Sequence, residues 1–263
     1  MTANRTFAEG EPIWIDLACE DIIKSQVFYS YVLDWAYPDS PEGASGWAMA
    51  TIDGEPVAGL APRRVGTPPT WSVYFAVDNV DSTITQIDAL GGKVMVPGFD
   101  IVIDGAKQGR IAAAADPTGG AFGLWQPDAM LGFSQSGKPG RAQWFELNSS
   151  HPAAAVDFYR RLFSATAADI GDANVPDYTS ITLPGSEHEN FGIWSIPEML
   201  PAESSSAWFV YFAVRDVDAA ARRVVAGDGS VVTTQDSPHG RWCFATGTQG
   251  EPFYLIDVTV KSG

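Results

Sequence analysis

The stretch 12–18, "PIWIDLA", alternates along one face, as a strand with a buried side does. Behind it, Val27, Phe28, Tyr31 and Val32 recur at helical spacing, and Asp21 stands where an N-cap belongs. Short β segments follow at about 46–52 and 55–61, and "TWSVYFAV" at 70–77 is another strand. "VDSTITQIDALGG" predicts a short helix closed by glycine. Strands at about 93–97, 109–115 and 121–126 complete the first half. In the second half Pro152 suits a first helical turn, and Ala155, Phe158, Tyr159, Leu162 and Phe163 form the apolar stripe. The predicted order is βαβββ-βαβββ, twice.

The chain repeats itself. "WIDLACED" at 14–21 returns as "WFELNSSH" at 144–151, and Phe28-Tyr29 returns as Phe158-Tyr159, all at an offset of 130. "WSVYFAV" at 71–77 returns as "WFVYFAV" at 208–214, with Val80-Asp81 recurring as Val217-Asp218 and Gly109-Arg110 as Gly240-Arg241. A repeat this long means two copies of one architecture. The Gly/Ser/Pro stretch "SQSGKPGRAQ", 134–143, reads as the linker, which places domains at 8–134 and 141–260.

Composition narrows the functions. Apolar residues at 45% and charged residues at 18% are an ordinary globular mixture. The net charge of −16 argues against nucleic acid and against an anionic membrane, which both attract basic surfaces. No apolar run approaches the ~20 residues of a membrane span, and "MTANRTFAEGEP" has no apolar signal region, so a cytoplasmic location is expected. Cys19 and Cys243 have no CxxC partner and read as buried or idle thiols.

"DPTGGAFGLWQP" at 116–127 resembles the closing turn and last strand of the vicinal oxygen chelate superfamily, which includes glyoxalase I, extradiol dioxygenases and the bleomycin- and fosfomycin-resistance proteins. "PIWIDL", "GFDI", "GRIAAAADPTGG" and "GLWQP" are similar to actinobacterial two-domain glyoxalase-like proteins. The resemblance covers nearly the whole chain. It implies an α+β fold of four tandem βαβββ modules forming two cup-shaped half-barrel domains. It also implies a divalent metal held by His and Glu from four strands. In the first half those positions fall on Trp14, Gly59, Ser72 (Trp71 if the register slips) and Gly123. In the second half they fall on Trp144, Ile193 or Trp194, Phe209 and Tyr254. None of these is a good metal ligand. His151, His188 and His239 lie at helix starts or in loops. No metal and no other cofactor is therefore expected.

Side chains two apart on a strand share a face. If Trp14 points into a cup, so do Asp16 and Ala18, with Trp144, Glu146 and Asn148 in the other copy. The later strands add Ser72, Tyr74 and Trp125 to the first cup and Phe209, Tyr211 and Tyr254 to the second. Aromatic walls with a few polar groups suit a flat organic ligand, here an aromatic or polyketide-like metabolite. Asp16 and Glu146 are candidate general bases, with Tyr74 and Tyr211 as acids; alternatively they are structural acids bonded to strand ends or to Arg110 or Arg241. Gly59 and Gly123 would leave room in the first cup, whereas Phe209 and Tyr254 would fill the second. The segment 96–110, "VPGFDIVIDGAKQGR", reads as a lid that brings Phe99 and Arg110 to the ligand. Three classes follow: a metal-free binding protein of the drug-sequestering type, a metal-free isomerase, cyclase or lyase of specialised metabolism, and a metal-dependent glyoxalase or dioxygenase, against which the missing ligands count. A monomer or a homodimer fits either of the first two.

Overall fold

The computed structural model of the chain describes residues 7–38, 46–133, 137–171, 176–195, 205–237 and 240–257. The first half runs β1 (Pro12–Cys19), α1 (Ile22–Leu33), β2 (Ala48–Ile52), β3 (Glu55–Pro62), β4 (Thr70–Ala76), α2 (Val80–Ala89), β5 (Lys93–Ile103), β6 (Ala106–Ala115) and β7 (Ala121–Pro127). The second runs β8 (Ala142–Ser149), α3 (Pro152–Leu162), β9 (Thr166–Asp169), β10 (Thr179–Thr182), β11 (Phe191–Trp194), β12 (Ser206–Val214), α4 (Val217–Ala226), β13 (Ser230–Ser237), β14 (Gly240–Thr246) and β15 (Pro252–Asp257). This is the expected α+β class, in two open sheets. The first has strand order β2-β3-β1-β4-β7-β6-β5, and the second β13-β14-β15-β12-β8-β11-β10-β9. One module departs from the expected order: where the second half has β9, the described residues of the first have an isolated bridge, Ala36 to Thr51. No helix among the described residues is long and apolar enough to cross a membrane.

Local chemistry explains the element ends. Asp21 caps α1 by accepting from the Lys24 amide at 2.9 Å. Asp53-Gly54 and Asp104-Gly105 turn the β2–β3 and β5–β6 hairpins with positive φ at both residues, the geometry whose twist matches paired strands. The second turn corrects the lid expectation: 96–110 is not a loop but most of an extended hairpin, paired from Lys93–Ala115 to Ile103–Ala106. The expected linker is likewise not a free tether in its described part. Gly140, at φ +82°, accepts from the Trp35 indole at 2.7 Å, and buried Arg141 reaches Glu55 at 2.8 Å.

The chain divides into two compact units that cross the sequence halves. Unit one takes Met1–Trp14, Val73–Gly132 and Phe145–Trp208; unit two takes Ile15–Ser72, Phe133–Trp144 and Phe209–Gly263. Each has an aromatic core built on one copy of the repeated Phe-Tyr pair. In unit one Tyr159 packs among Phe75, Phe122, Phe158, Phe163, Phe191 and Trp208. Its hydroxyl donates to Asp116 Oδ2 at 3.0 Å and accepts from the Trp208 indole at 3.1 Å. In unit two Tyr29 packs among Phe28, Trp35, Trp71, Phe212 and Phe253. It donates to Glu251 Oε1 at 3.0 Å and accepts from the Trp71 indole at 3.3 Å. Burial, and then the adjacent carboxylate, pushes both phenols well above their usual range. Trp71 therefore belongs to this core, which leaves Ser72 on the opposite strand face.

The repeated Val-Asp and Gly-Arg pairs also find their reason here. Arg110 binds Asp81, Asp100 and the Gly98 carbonyl, each at 3.0 Å, and Arg241 binds Asp218 and Asp236 at 2.9 and 3.0 Å. Each arginine thus ties a hairpin to the helix before it. The bonds of Arg110 and Arg241 go to these acids, not to the strand carboxylates Asp16 and Glu146.

Candidate functional site

The two strand carboxylates occupy equivalent places. Asp16 on β1 lies in parallel register with Gly59 on β3, and Glu146 on β8 with Gly192 on β11. The counterpart of Gly59 is therefore Gly192, not Ile193 or Trp194. Both glycines carry a neighbour's polar group over the spot where a side chain would begin. In unit two a Cβ on Gly59 would fall on Asp16 Oδ1 and come within 2.6 Å of Trp47 Nε1. Those two atoms are themselves joined, the indole N–H of Trp47 donating to Asp16 Oδ1 at 3.2 Å. In unit one the Tyr178 hydroxyl lies over Gly192. Asp16 and Ser72 are half-buried, whereas Glu146 and Asn148 are 2% and 1% exposed.

The last strands follow the same rule. Tyr74 is in register with Gly123 in unit one, and its ring lies over that glycine. The expectation that Gly59 and Gly123 leave open volume is thus overturned, because Trp47 with Asp16 fills one space and Tyr74 the other. In unit two Tyr211 is in register with Tyr254, and the rings stack at 4.2 Å and 8°. Phe209 packs edge-on to Tyr254 and Phe244. Trp125 forms a small core with Ile13 and Ala76, against which Phe7, Tyr74, Ile101, Ile111 and Met130 pack. Its indole donates to the Met130 carbonyl at 3.1 Å, and Gly109 has no side chain to obstruct the ring. Ile101 and Ile111 come from the β5–β6 hairpin, so that hairpin does reach the cluster that holds Trp125. Phe99, on the same hairpin, is 44% exposed, Trp14 is buried and Trp144 is half-buried.

These places do not fit the metal that the fold often carries. The four positions hold Trp14, Gly59, Ser72 and Gly123 in one half, and Trp144, Gly192, Phe209 and Tyr254 in the other. They supply no imidazole, thiolate or carboxylate, the donors that divalent metals prefer. Among the described residues no three His, Cys, Asp or Glu side chains come together in a set that could hold an ion. His151 precedes α3 and His188 lies in a loop, both exposed; His239 lies outside the described residues.

Two residues of the site were not among those expected from sequence, Trp47 and Tyr178. The alternation of 47–52 marks Trp47 and Met49 as one face, but not which residue of β3 they meet.

Residues 141–249 match the family model of the glyoxalase/bleomycin resistance protein/dioxygenase superfamily. CFP32 of Mycobacterium tuberculosis, which carries the provisional name of a glyoxylase, is 34% identical over 264 residues, covering 97% of this chain and 98% of that one. The anthracycline biosynthesis protein DnrV of Streptomyces peucetius is 31% identical, over 96% of this chain and 94% of its own. The Mn(II)-bound glyoxalase of Novosphingobium aromaticivorans shares the fold at a TM-score of 0.65 and 15% identity, over 96% of this chain and 83% of that one. With near-complete coverage by relatives above 30% identity, and with the modules described above, the chain belongs to the glyoxalase/bleomycin resistance protein/dioxygenase superfamily, the vicinal oxygen chelate fold.

Proposed function

We propose that this chain is a metal-independent small-molecule-binding protein that takes a flat aromatic or polyketide-like metabolite, addressed by the carboxylate of Asp16. One observation carries the reading. Asp16 Oδ1, bonded to the Trp47 indole, sits over Gly59, where a metal-binding side chain would have to begin. The same place cannot hold that carboxylate and a ligand side chain. The position has become an organic recognition site, an acceptor beside an indole, the pairing that hydroxylated ring systems meet with their own donors and faces. The kinship with a protein of anthracycline biosynthesis supports a polycyclic aromatic ligand.

A second reading, a metal-free isomerase, cyclase or lyase with Asp16 or Glu146 as general base, draws on the same kind of contact. An indole N–H that fixes one carboxylate oxygen orients a base as well as it orients a binding group. Titration with a hydroxylated anthraquinone, followed by tryptophan fluorescence, tests the first reading when run with and without chelator beside a metal analysis. Binding that survives chelation in a protein without stoichiometric metal supports it. One equivalent of tightly held divalent metal, with binding lost on its removal, sinks it. Asp16→Asn separates the two readings. A binding protein loses about 1–3 kcal/mol of affinity when a donor–acceptor pair is broken. An enzyme keeps most binding and loses ~10²–10⁴-fold in rate.

A further inference from the structure

The repeat compares the Asp16 site with its own counterpart. In unit two Ala18 pairs with Ala61, two residues beyond Asp16 and Gly59. Trp47 lies two residues before Met49, the partner of Gly59, and so stands across from Ala61. In unit one Asn148 pairs with Trp194, two residues beyond Glu146 and Gly192. Tyr178 lies two residues before Ser180, the partner of Gly192, and so stands across from Trp194. Asp16 thus corresponds to Glu146, Trp47 to Tyr178, Ala18 to Asn148 and Ala61 to Trp194. The halves differ most at the last position. The second half lays its own indole there: Trp194 packs against Tyr178 with ring centres 5.9 Å apart at 59°, and its N–H donates to the Pro176 carbonyl at 3.1 Å. In the first half Ala18 and Ala61 are only half-buried, as is Trp47, so the same place stays open to solvent.

We infer that Ala61, with Ala18 beside it, sets the specificity of the Asp16 site by keeping open the place that Trp194 fills in the other half, so that one planar aromatic ring of the ligand lies there against Trp47. The inference rests on the reading of Asp16 as the recognition group. The second half shows what fits this place: an aromatic plane packed on the residue that corresponds to Trp47, at a spacing inside the roughly 4.5–7 Å range of favourable ring pairs. Side chains two apart on one strand face are roughly 7 Å apart along it, about the width of one ring. A ring over Ala18 and Ala61 therefore brings its edge, and a hydroxyl on that edge, to the Asp16 carboxylate. The Trp47 N–H already donates to Asp16, so the indole offers the ring its apolar surface. A saturated ring of the same outline is puckered and thicker, and makes neither contact as closely.

Calorimetric titration of the full chain with a hydroxylated anthraquinone tests this. The wild type is expected to bind one equivalent. Ala61→Trp, which copies Trp194 into the first half, should raise the dissociation constant ~100-fold or more, because the ring loses its place, while circular dichroism stays that of the wild type. Should that variant misfold, Ala61→Val, which suits a strand, should weaken binding ~10-fold by crowding the same place. Trp194→Ala should leave the affinity unchanged. A saturated, non-planar analogue with the same hydroxyl pattern should bind the wild type ~10-fold more weakly than the anthraquinone. Wild-type affinity in folded Ala61→Trp or Ala61→Val, equal affinity for the saturated analogue, or binding weakened by Trp194→Ala overturns the inference and leaves the Asp16 reading standing. A wild type that does not bind the anthraquinone at all removes both.

Discussion

Gly59→Ala tests the centre of the candidate site with one methyl group. Gly59 does not have a positive φ, so alanine adopts its backbone without strain. On that ground alone the change stabilises by about 0.4–1 kcal/mol, through a less flexible unfolded chain. The new Cβ, however, would fall on Asp16 Oδ1 and come within 2.6 Å of Trp47 Nε1 and 2.9 Å of Trp47 Cε2. The carboxylate is the end of a short side chain and can swing away. The indole is a rigid plane and cannot do so cheaply. The hydrogen bond between them is therefore lost, and a bond to a carboxylate contributes about 1.5–3 kcal/mol. The net effect is a loss of about 1–2 kcal/mol, or roughly 2–6 °C in Tm for a chain of this size. A thermal melt followed by circular dichroism measures the sign. The indole N–H resonance of Trp47, assigned by a Trp47→Phe variant, should move towards the position of an unbonded indole. A variant that melts above the wild type with that resonance unmoved would show that Asp16 does not lie over Gly59, and the site reading would fall with it.

Other outcomes follow from the two cores and the hairpin. Tyr159→Phe and Tyr29→Phe each remove a hydroxyl that serves a buried carboxylate and a buried indole at once, so each should cost about 2–4 kcal/mol in a urea titration; a loss under ~0.5 kcal/mol for either would refute its network. Glu251, pushed up mainly by burial, has a folded pKa above its ordinary value of 4.5, so folding favours its protonated form. Its contribution is fully present below the unfolded pKa and is lost as pH rises through the folded one; the urea midpoint of the wild type should thus gain on acidification within that window relative to Glu251→Gln, and parallel pH profiles would contradict this. Arg110→Ala frees the β5–β6 hairpin from α2, so amide exchange should accelerate at Ile101 and Ile103 while the global melt hardly moves; unchanged exchange there would show that the ion pairs do not hold the hairpin.

Periodicity and repetition alone were enough for the α+β class, the four modules and the helix start at Asp21, because a strand with one wet face and a helix with one dry stripe write their periods into the chain, although on α1 the stripe is displaced: Val27 and Tyr31 are exposed, and Tyr29 and Leu33 are buried beside Phe28 and Val32. The hairpin at 96–110 was missed although Asp104-Gly105 announces it, since its exposed Phe99 and Val102 break the pattern of a half-buried strand. What lies over each glycine could not be read at all. Counting back from the Asp53-Gly54 turn sets Met49 opposite Ala58, but an irregularity between Ala50 and Thr51 moves it opposite Gly59 and brings Trp47 onto Asp16. A one-residue bulge reverses which face meets which neighbour; its extra residue is Val57 of β3, beside Pro56, so counting along β2 alone does not find it. Tyr178 over Gly192, and the pairing of Tyr29 with Glu251 and of Tyr159 with Asp116, join residues far apart in the chain. Buried polar groups must find partners wherever the fold brings them, so the tertiary structure alone chose which carboxylate meets which ring.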